Sequence, residues 1–215
     1  MIIAIDGPAG AGKGTLARRL ASAFQLAYLD TGLLYRAVGM HVVEMGGDPA
    51  DPAAAIHAAK HLELSSLESP RLREEIAADA ASKVAAIPDV REALLAFQRD
   101  FAANPPTPYT GAVLDGRDIG TVVCPNADLK LFVTATVIER ARRRTLELQA
   151  KGIDVIQDRI LADMLARDER DRDRKVAPLA SATDAVILDT TELDADMVFD
   201  RAAILLRSIQ ERNAG

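Results

Sequence analysis

The stretch IIAIDGPAGAGKGTLARRL, at residues 2–20, constrains the fold of this chain more than any other segment. Its apolar residues 2–6 predict a short buried strand, and Lys13–Phe24 predict a helix with its apolar residues on one face. The linking segment is rich in glycine, which costs roughly 0.5–1 kcal/mol relative to alanine inside a regular element. An ordinary turn between strand and helix would explain the glycines. A loop whose backbone wraps around an anion would also explain the lysine and threonine that follow them.

The spacing Gly7-x4-Gly12-Lys13 matches a phosphate-binding loop, or P-loop, between a strand and a helix. In such a loop the backbone N–H groups curl around phosphates, the helix N-terminus adds partial positive charge, and the lysine reaches the terminal phosphates. Gly14 stands where the common motif has Ser or Thr, and Thr15 follows one position later. We therefore expect Mg²⁺ to be held mainly through phosphates and water, and we predict no protein metal ligand. The predicted nucleotide-binding residues are Gly7, Pro8, Ala9, Gly10, Ala11, Gly12, Lys13, Gly14 and Thr15.

Short apolar runs recur along the rest of the chain. Leu26–Leu29 predict a second strand, and GAVLDG, LKLFVTAT and AVILDTT predict three more. Each run is continuous and bounded by turn residues, as in parallel strands buried on both faces. Helical patterns separate the runs, including one long stretch from Ile138 through RDERDRDRK and a final helix over Asp194–Gln210. The chain is therefore predicted to be α/β, with a doubly wound, parallel, five-stranded sheet whose binding sites lie at the carboxyl ends of the strands.

Two helical regions interrupt this predicted core. Residues 1–37, 105–149 and 179–215 are assigned to the P-loop core, and residues 38–104 and 150–178 to insertions. In the first insertion, HLELSSLESPRLREEIAAD offers one short strand at most before the pattern turns helical. In the second, an apolar stripe ends where a run of arginines begins. We therefore expect the helix to leave the core there and to act as a mobile lid that closes on phosphates.

Composition narrows the functional classes. The net charge of −6 and the scarcity of aromatic residues argue against a nucleic-acid-binding module. No apolar run approaches the ~18 residues of a membrane span, and the start shows no secretory pattern. Cys124 is the single cysteine, so the chain cannot close a disulfide on itself. His57 and His61 have a metal-like i,i+4 spacing but no third ligand beside them. We expect a cytoplasmic monomer that binds small molecules and neither nucleic acid nor membrane.

Charged residues follow the predicted strands, where the site is expected. LDTGLLYR follows the second strand with Thr31, Tyr35 and Arg36, and LDGRDIGTVV follows the third with Arg117 and Asp118. Most of the 26 basic residues are arginines, which suit planar, bidentate recognition of phosphate. Codon bias in the genome would give the same composition, so the positions of the arginines carry more weight than their number.

A third cluster, RDERDRDRKVAPL, places Arg167, Arg170, Asp171 and Arg174 on one face of a helix. The common alternative for such a charge run is a solvated helix end held by ion pairs, here Asp168 with Arg172 at i,i+4 spacing. In a chain with a P-loop, arginines that converge on the same edge of the sheet favour phosphate binding instead.

These motifs closely resemble those of the cytidylate kinases, the bacterial CMP and dCMP kinases. GPAGAGKGT is similar to the P-loop of the nucleoside monophosphate kinases, LDTGLLYR to LD-S/T-G-x-x-YR, LDGRDIGTVV to DGRD-x-GTVV, and RDERDRDRKVAPL to the lid of that family. AASKVAAIPDVREALL, at residues 80–95, resembles its pair of nucleobase-binding helices.

The resemblance covers nearly the whole chain. It implies a transferase of pyrimidine metabolism that moves a phosphoryl group from ATP to CMP or dCMP without a general base. It also implies a shortened insertion at 38–104, where many members carry a small β-sheet.

The resemblance further implies a role for each matching residue. The implied contacts are Arg36, Arg117 and Arg174 for the acceptor phosphate, Ser82, Arg91 and Asp118 for cytosine, and Arg167 and Asp171 for the sugar, with Thr31 and Tyr35 completing the substrate site. The implied catalytic residues are Lys13, Arg117, Arg167 and Arg174. The Asp118 carboxylate would accept from the N4 amino group of cytosine and repel O4 of uracil, so UMP is expected to be the weaker substrate. Simpler roles are open: Ser82 fits a helix-face hydroxyl, and Arg91 fits an ion pair with Asp89 or Glu92.

Two other classes of P-loop protein compete with this interpretation. A kinase for a small-molecule hydroxyl would use Asp30 or Asp118 as its base, but it would not need several arginines around the acceptor. A nucleotide-gated switch is expected to carry a guanine-reading N-K-x-D segment, which the sequence lacks.

Overall fold

The structure, a computed structural model, describes residues 1–214 of the chain. The strands in that range are β1 (Ile2–Asp6), β2 (Ala27–Asp30), β3 (Ala112–Gly116), β4 (Leu129–Thr134) and β5 (Val186–Asp189). They form one five-stranded sheet in the order β2–β3–β1–β4–β5, and every neighbouring pair is parallel. The predicted α/β class and parallel sheet are confirmed.

The helices of the described residues are α1 (Lys13–Phe24), α2 (Thr31–Glu44), α3 (Pro52–Lys60), α4 (Glu75–Val84), α5 (Pro88–Ala103), α6 (Val137–Ala150), α7 (Gln157–Asp173) and α8 (Ala195–Ala214). Shorter turns are 3₁₀ at Leu64–Glu68 and Pro70–Arg73, and π-helical at Ile119–Val123. Pro52 and Pro88 occupy first-turn positions of α3 and α5, where a missing N–H costs little. Asp51 and Thr136 cap α3 and α6 by accepting N–H groups of the first turn.

Apolar layers cover both faces of the sheet. On one face, α1 and α8 pack around the buried side chains of Ile5, Leu131 and Leu206. On the other, α5 and the π-helical turn pack around Leu114 and Ile119. The central strands β1, β3 and β4 are therefore buried on both faces, as their apolar sequences predict. The parallel register brings the carboxyl ends of β1, β3 and β4 side by side, so the loops that follow them share one edge.

β5 departs from the prediction. The prediction that AVILDTT is buried on both faces is wrong, because β5 is one of the two edge strands of the sheet and three of its four residues are exposed. Val186 and Ile187 are 38% and 62% exposed, whereas Leu188 packs into the core. β2 also begins one residue later than predicted, at Ala27.

The predicted long helix from Ile138 into the arginine run is instead two helices, α6 and α7. The backbone N–H groups of Lys151 and Ile153 both donate to the carbonyl of Leu148, and Gly152 has a φ of 75°. Glycine adopts this left-handed conformation at little cost and commonly ends a helix in this way. The bend at residues 151–156 lets α7 fold back and pack against α6.

The buried face of α7 corrects a further prediction. The helix does not leave the protein where its apolar stripe ends, because Asp168 and Asp171 continue the buried face that begins with Ile160 and Met164. Buried carboxylates need partners, and arginines from distant segments of the chain provide them. One side of the charged half of α7 is therefore packed, whereas Arg172 on the other side is 60% exposed.

Helices α2 to α5 form the region between β2 and β3, around a core that includes Val38, Val84, Val90 and Leu94. The segment HLELSSLESPRLREEIAAD forms the two 3₁₀ turns and the first residues of α4. Between β2 and β3 the structure has no strand in the described residues. Within residues 1–214, no helix has both the length and the apolar character needed to cross a bilayer.

Candidate active site

The loop between β1 and α1 owes its shape to its glycines. Gly7, Gly10 and Gly12 have φ values of 143°, 75° and 95°, which residues with a Cβ rarely adopt. A Cβ on Gly7 would also lie 1.9 Å from the carbonyl oxygen of Val133 in β4. Gly12 is the N-cap of α1, so the free N–H groups of the first helical turn lie next to the loop. This arrangement of backbone donors suits a bound phosphate.

Lys13 is buried in this loop, with 7% exposure, and its Nζ donates to the carbonyl of Pro8 at 2.7 Å. Burial, reinforced by repulsion from Arg117, lowers the pKa of Lys13 to about 7. Burial conversely raises the pKa of Asp115 at the end of β3, although the charge of Lys13 opposes that rise. Thr31, a predicted substrate contact, is buried, and its hydroxyl donates to the carbonyl of Asp115 at 2.7 Å. A phosphate beside Nζ would stabilise the charged form of the lysine.

A cavity of about 950 Å³ opens beside the P-loop, between the ends of β2 and β3, α4 and α7. Its volume lies within the range of roughly 300–1,000 Å³ that small-molecule sites occupy. The basic residues that line it are Lys13, Arg18, Arg36, Lys83, Arg117, Arg143, Arg144, Arg167 and Arg170. So many cations around one space indicate an anionic ligand.

Arg36, Arg117 and Arg167, three of the predicted acceptor contacts, line this cavity. Burial lowers the pKa of Arg36, and burial together with the charge of Arg117 lowers the pKa of Arg167 to about 10. Although burial opposes it, the pKa of Arg117 is raised because Asp171 accepts from its Nε at 2.8 Å. Burial acts against the charge of Asp171 too, yet Arg117 and Arg167 hold its pKa below the usual value. These guanidinium groups would be stabilised by a bound phosphate.

Three buried guanidinium nitrogens have no hydrogen-bond partner within residues 1–214: Nε of Arg167, Nε of Arg170 and Nη2 of Arg174. The prediction that Arg174 lies on the helical face is wrong, because α7 ends one residue earlier and Arg174 folds back to donate to the carbonyl of Ala177. Buried donors are almost always satisfied in proteins. These nitrogens therefore mark places where an acceptor atom of a ligand fits.

The predicted cytosine contacts lie together, buried next to the cavity rather than lining it. Arg91 donates to Asp118, and Nη2 of Arg174 lies 3.6 Å from the same carboxylate. Ser82 donates from its hydroxyl to Asp171 at 3.4 Å. In this structure the polar groups of these residues bind one another. A ligand would have to replace these contacts with its own.

Arg91 is held from two sides. Its guanidinium lies 5.4 Å from the centroid of the Tyr35 ring and pairs with Asp118. The alternative ion pairs with Asp89 or Glu92 do not form in the described structure. A planar guanidinium fixed in this way presents its donors in a defined direction.

A second cavity, of about 740 Å³, lies on the other side of the P-loop, between α6 and the loop that leads from β5 to α8. Gly12, Thr15, Arg143 and Thr190 are among its lining residues, and Arg143 donates to the hydroxyl of Thr190 at 3.0 Å. None of the sequence motifs predicts this cavity. The polar residues after β5 follow the carboxyl end of a parallel strand, and this position could have indicated a binding site.

Asp6, the last residue of β1, was also missed. Its carboxylate accepts the backbone N–H groups of Ile119 and Gly120 at 2.7 Å each, and so ties the strand before the P-loop to the turn after Asp118. Burial raises the pKa of Asp6 to about 6 even though these two hydrogen bonds favour the charged form. Asp6 therefore joins the two halves of the site.

The donor set offers no protein cage for a metal. Among residues 1–214, no group of three or more His, Cys, Asp or Glu side chains is placed to hold an ion. His57 and His61 stack on each other, with ring centroids 4.3 Å apart. Beside the P-loop, the carboxylate of Asp115 lies near the cation of Lys13. This environment fits a metal that is bound through phosphates and water better than one held by protein ligands.

The P-loop and the arginine-lined cavity beside it, with α4 and α7 at its sides, define a P-loop phosphotransferase whose acceptor is phosphorylated. Residues 3–208 match the family model described as cytidylate kinase. A cytidylate kinase from Paramagnetospirillum magneticum is 61% identical over 207 residues, covering 96% of this chain and 98% of that protein. One from Rhodospirillum rubrum is 57% identical, covering 96% and 97%, and one from Nitrobacter winogradskyi is 54% identical, covering 99% of both. The chain belongs to the cytidylate kinase family.

A solved structure shows the same fold at low sequence identity. An uncharacterized protein from Eubacterium ventriosum aligns with a TM-score of 0.56 at 16% identity, covering 97% of this chain and 98% of that one. The fold is thus kept where most of the sequence differs.

Proposed function

We propose that this enzyme transfers the γ-phosphoryl group of ATP to CMP or dCMP, giving ADP and CDP or dCDP, with the residue roles set out below. The observation that supports these roles is the set of buried guanidinium nitrogens on Arg167, Arg170 and Arg174 that have no hydrogen-bond partner within residues 1–214. A phosphorylated acceptor supplies the oxygens that these donors lack.

The donor triphosphate lies in the P-loop, residues 7–15, with Lys13 at its terminal phosphates. The adenosine then extends into the second cavity, past Thr15 and toward Arg143 and Thr190, because that cavity adjoins the loop on the side away from the acceptor arginines. Mg²⁺ belongs to the nucleotide, held through phosphates and water, and supplies charge neutralisation at the transferring group.

The acceptor occupies the first cavity and the cluster beside it. Arg36, Arg117 and Arg174 hold its phosphate, and Arg167 and Asp171 hold its sugar. Ser82, Arg91 and Asp118 read cytosine once the pairs among them exchange for ligand contacts. The Tyr35 ring supports the guanidinium group of Arg91, and Thr31 fixes the end of β3.

The chemistry needs no general base. The attacking oxygen belongs to a phosphate whose second pKa is about 6, so it is largely ionised near neutral pH. Asp118, the candidate base for a hydroxyl acceptor, is paired with Arg91 and Arg174, which suits a recognition role better than proton removal. The residues therefore act by alignment and by placing positive charge where it develops: Lys13, Arg117, Arg167 and Arg174 surround the transferring group.

Two segments close over the reactants in this proposal: the insertion at residues 38–104 and the lid at residues 150–178. An ion pair already joins them, between Arg170 and Asp79, and a second pair, between Arg144 and Glu75, joins the core to the insertion. Closure excludes water and so suppresses hydrolysis of ATP in the absence of the acceptor. The enzyme is expected to be cytoplasmic and monomeric. Gel filtration at micromolar concentration tests the oligomeric state.

The experiment is ADP release with Mg-ATP and, in separate reactions, CMP, dCMP, UMP, AMP, GMP or no acceptor. Strong dependence on CMP and dCMP, with weak UMP activity, is the expected result. A preference for UMP or AMP would remove the roles of Ser82, Arg91 and Asp118 while leaving the phosphoryl transfer. Release of ADP that ignores every monophosphate would overturn the proposed function.

A further inference from the structure

Arg140 of α6 and Asp168 of α7 form a buried ion pair that the proposed reaction does not use. Their side chains are 4% and 3% exposed. Nη1 of Arg140 donates to one carboxylate oxygen of Asp168 at 3.2 Å, and Nη2 donates to the other at 2.6 Å. This two-point contact fixes the direction of both side chains. The pair at i,i+4 spacing on the same helix, between Asp168 and Arg172, is looser, at 3.7 Å.

The same guanidinium also holds the backbone of the donor site. Nη1 of Arg140 donates to the carbonyl of Ala9 in the P-loop at 3.0 Å, and Nε donates to the carbonyl of Ala135, just after β4, at 3.0 Å. One side chain therefore connects the P-loop, the end of a central strand and helix α7. Its planar fork serves these partners at once, which a lysine cannot do.

The contact between α7 and the P-loop is close as well as charged. A Cβ placed on Gly10 would lie 3.1 Å from Cε of Met164, one turn before Asp168, and 3.4 Å from Cβ of Arg140. A methyl group at that position would require the end of the Met164 side chain to shift by a few tenths of an ångström. The P-loop and α7 are therefore in close contact at Gly10.

A buried ion pair is weak support for stability, because removing both charges from water offsets most of their attraction. Two apolar side chains would fill the same space at comparable stability. What the pair adds is a fixed geometry between its two elements. Its place on α7 gives that geometry a use, since Arg167 precedes Asp168 and Asp171 follows it by one turn.

We propose that Arg140 and Asp168 are positioning residues that hold α7 in register with the P-loop, so that the acceptor contacts Arg167 and Asp171 face the donor phosphate. This role rests on the proposed function, because it concerns the alignment of that donor and that acceptor. Neither residue lines either cavity. A misplacement of about 1 Å costs a reaction of this kind roughly a hundredfold in rate.

The test replaces the pair by apolar residues, in the double variant Arg140→Met with Asp168→Leu. The double variant should remain folded, with a thermal midpoint near that of wild type, because neither charge is left buried alone. Its kcat for CMP should fall by roughly 20- to 100-fold while the KM values for ATP and CMP change by less than about threefold. Arg140→Lys, which keeps the charge, should recover part of this loss.

Arg99→Met is the matched control. Arg99 also donates to two backbone carbonyls, those of Val122 and Val123, but neither carbonyl belongs to the P-loop or to α7. Its kcat should stay within about twofold of wild type. A general loss of arginine contacts would affect both sites equally.

A folded double variant with wild-type kcat would overturn the positioning role. If the double variant does not fold, Arg140→Lys decides: a wild-type kcat per folded molecule overturns the proposal, and a reduced kcat at unchanged KM supports it. Absence of CMP-dependent ADP release from the wild-type enzyme would be a failure of the proposed function instead, and the two failures are therefore distinct.

Discussion

The donor and acceptor sides of the site are built by different means. The P-loop is one continuous segment, residues 7–15, and its shape follows from backbone conformation at Gly7, Gly10 and Gly12. The acceptor side consists of side chains from α2, α4, α5, α7 and the turn after β3, which reach one another across the fold. One half of the site depends on local conformation and the other on long-range charge pairing.

This difference determines how each side should respond to substitution. On the donor side Lys13 is the one cation within the P-loop itself, where it is buried and its Nζ donates to the carbonyl of Pro8. On the acceptor side several arginines share their carboxylate partners, and the loss of one leaves others in place. Donor-side changes should therefore abolish the reaction, whereas acceptor-side changes should redirect or weaken it.

Lys13→Met should have the largest effect. Removing the cation nearest the transferring phosphates should lower kcat by roughly a thousandfold or more, because charge develops there in the transition state. Folding should be kept, since burial already disfavours the charged lysine, as its lowered pKa shows. Steady-state ADP release and thermal unfolding measure the two quantities.

Lys130→Met is the matched control for that variant. Lys130 is a comparably buried lysine, 8% exposed, on β4, but it pairs with Asp184 away from the P-loop. Its kcat should remain near wild type. Turnover by Lys13→Met within tenfold of wild type would contradict the central role of this lysine.

Asp118→Asn should change which base is accepted rather than stop the reaction. The amide no longer repels O4 of uracil, so the ratio of kcat/KM for CMP to that for UMP should fall by roughly tenfold or more. Asp171→Asn, a change of the same size at the proposed sugar contact, should lower both values alike. An unchanged ratio in Asp118→Asn would separate Asp118 from base recognition.

The same division explains what the sequence could predict. The strand over 2–6 and the helix over Lys13–Phe24 are confirmed to the residue, because a glycine-rich loop between apolar elements is determined within a few neighbours. The bend at Gly152 was also local and could have been predicted from glycine at a helix end. The edge position of β5 could not, because strand order depends on contacts between distant segments.

Charge pairing is the harder part to predict. Helical spacing offers Arg172 as the partner of Asp168, yet the main partner of Asp168 is Arg140, which lies 28 positions away in the chain. Helical spacing describes only neighbours on one helix, and it says nothing about a second helix that folds back. Asp168 and Asp171 are buried because their partners come from such distant segments of the chain. The residue roles in the acceptor site stay predictions for the same reason.

Asp6→Asn tests the joint between the two sides. Folded Asp6 has a pKa of about 6, above its ordinary value of 3.8, so between these values the folded protein binds a proton that the unfolded chain has lost. This group therefore makes the free energy of unfolding decrease as pH rises through that window, by at most about 1.4 kcal/mol per pH unit.

The variant should remove this contribution, so its unfolding free energy should decline less steeply than that of wild type between about pH 4 and 6. Urea unfolding at a series of pH values measures the two slopes. Asp51→Asn, which alters an exposed carboxylate that also accepts a backbone N–H, is the control. Parallel curves for wild type and Asp6→Asn would show that Asp6 does not titrate there.

Asp79→Asn should have the smallest effect and addresses the rim where lid and insertion meet. Asp79 of α4 accepts from Arg170 of α7 at 2.8 Å, with both side chains well exposed. Exposed pairs contribute little and are screened by salt, so KM for CMP should rise only about two- to fivefold at low ionic strength. The difference should shrink in about 0.5 M salt, and Asp100→Asn, an exposed carboxylate elsewhere, should change neither value. A large loss of kcat that salt does not alter would place this contact with the buried pairs and not with the rim.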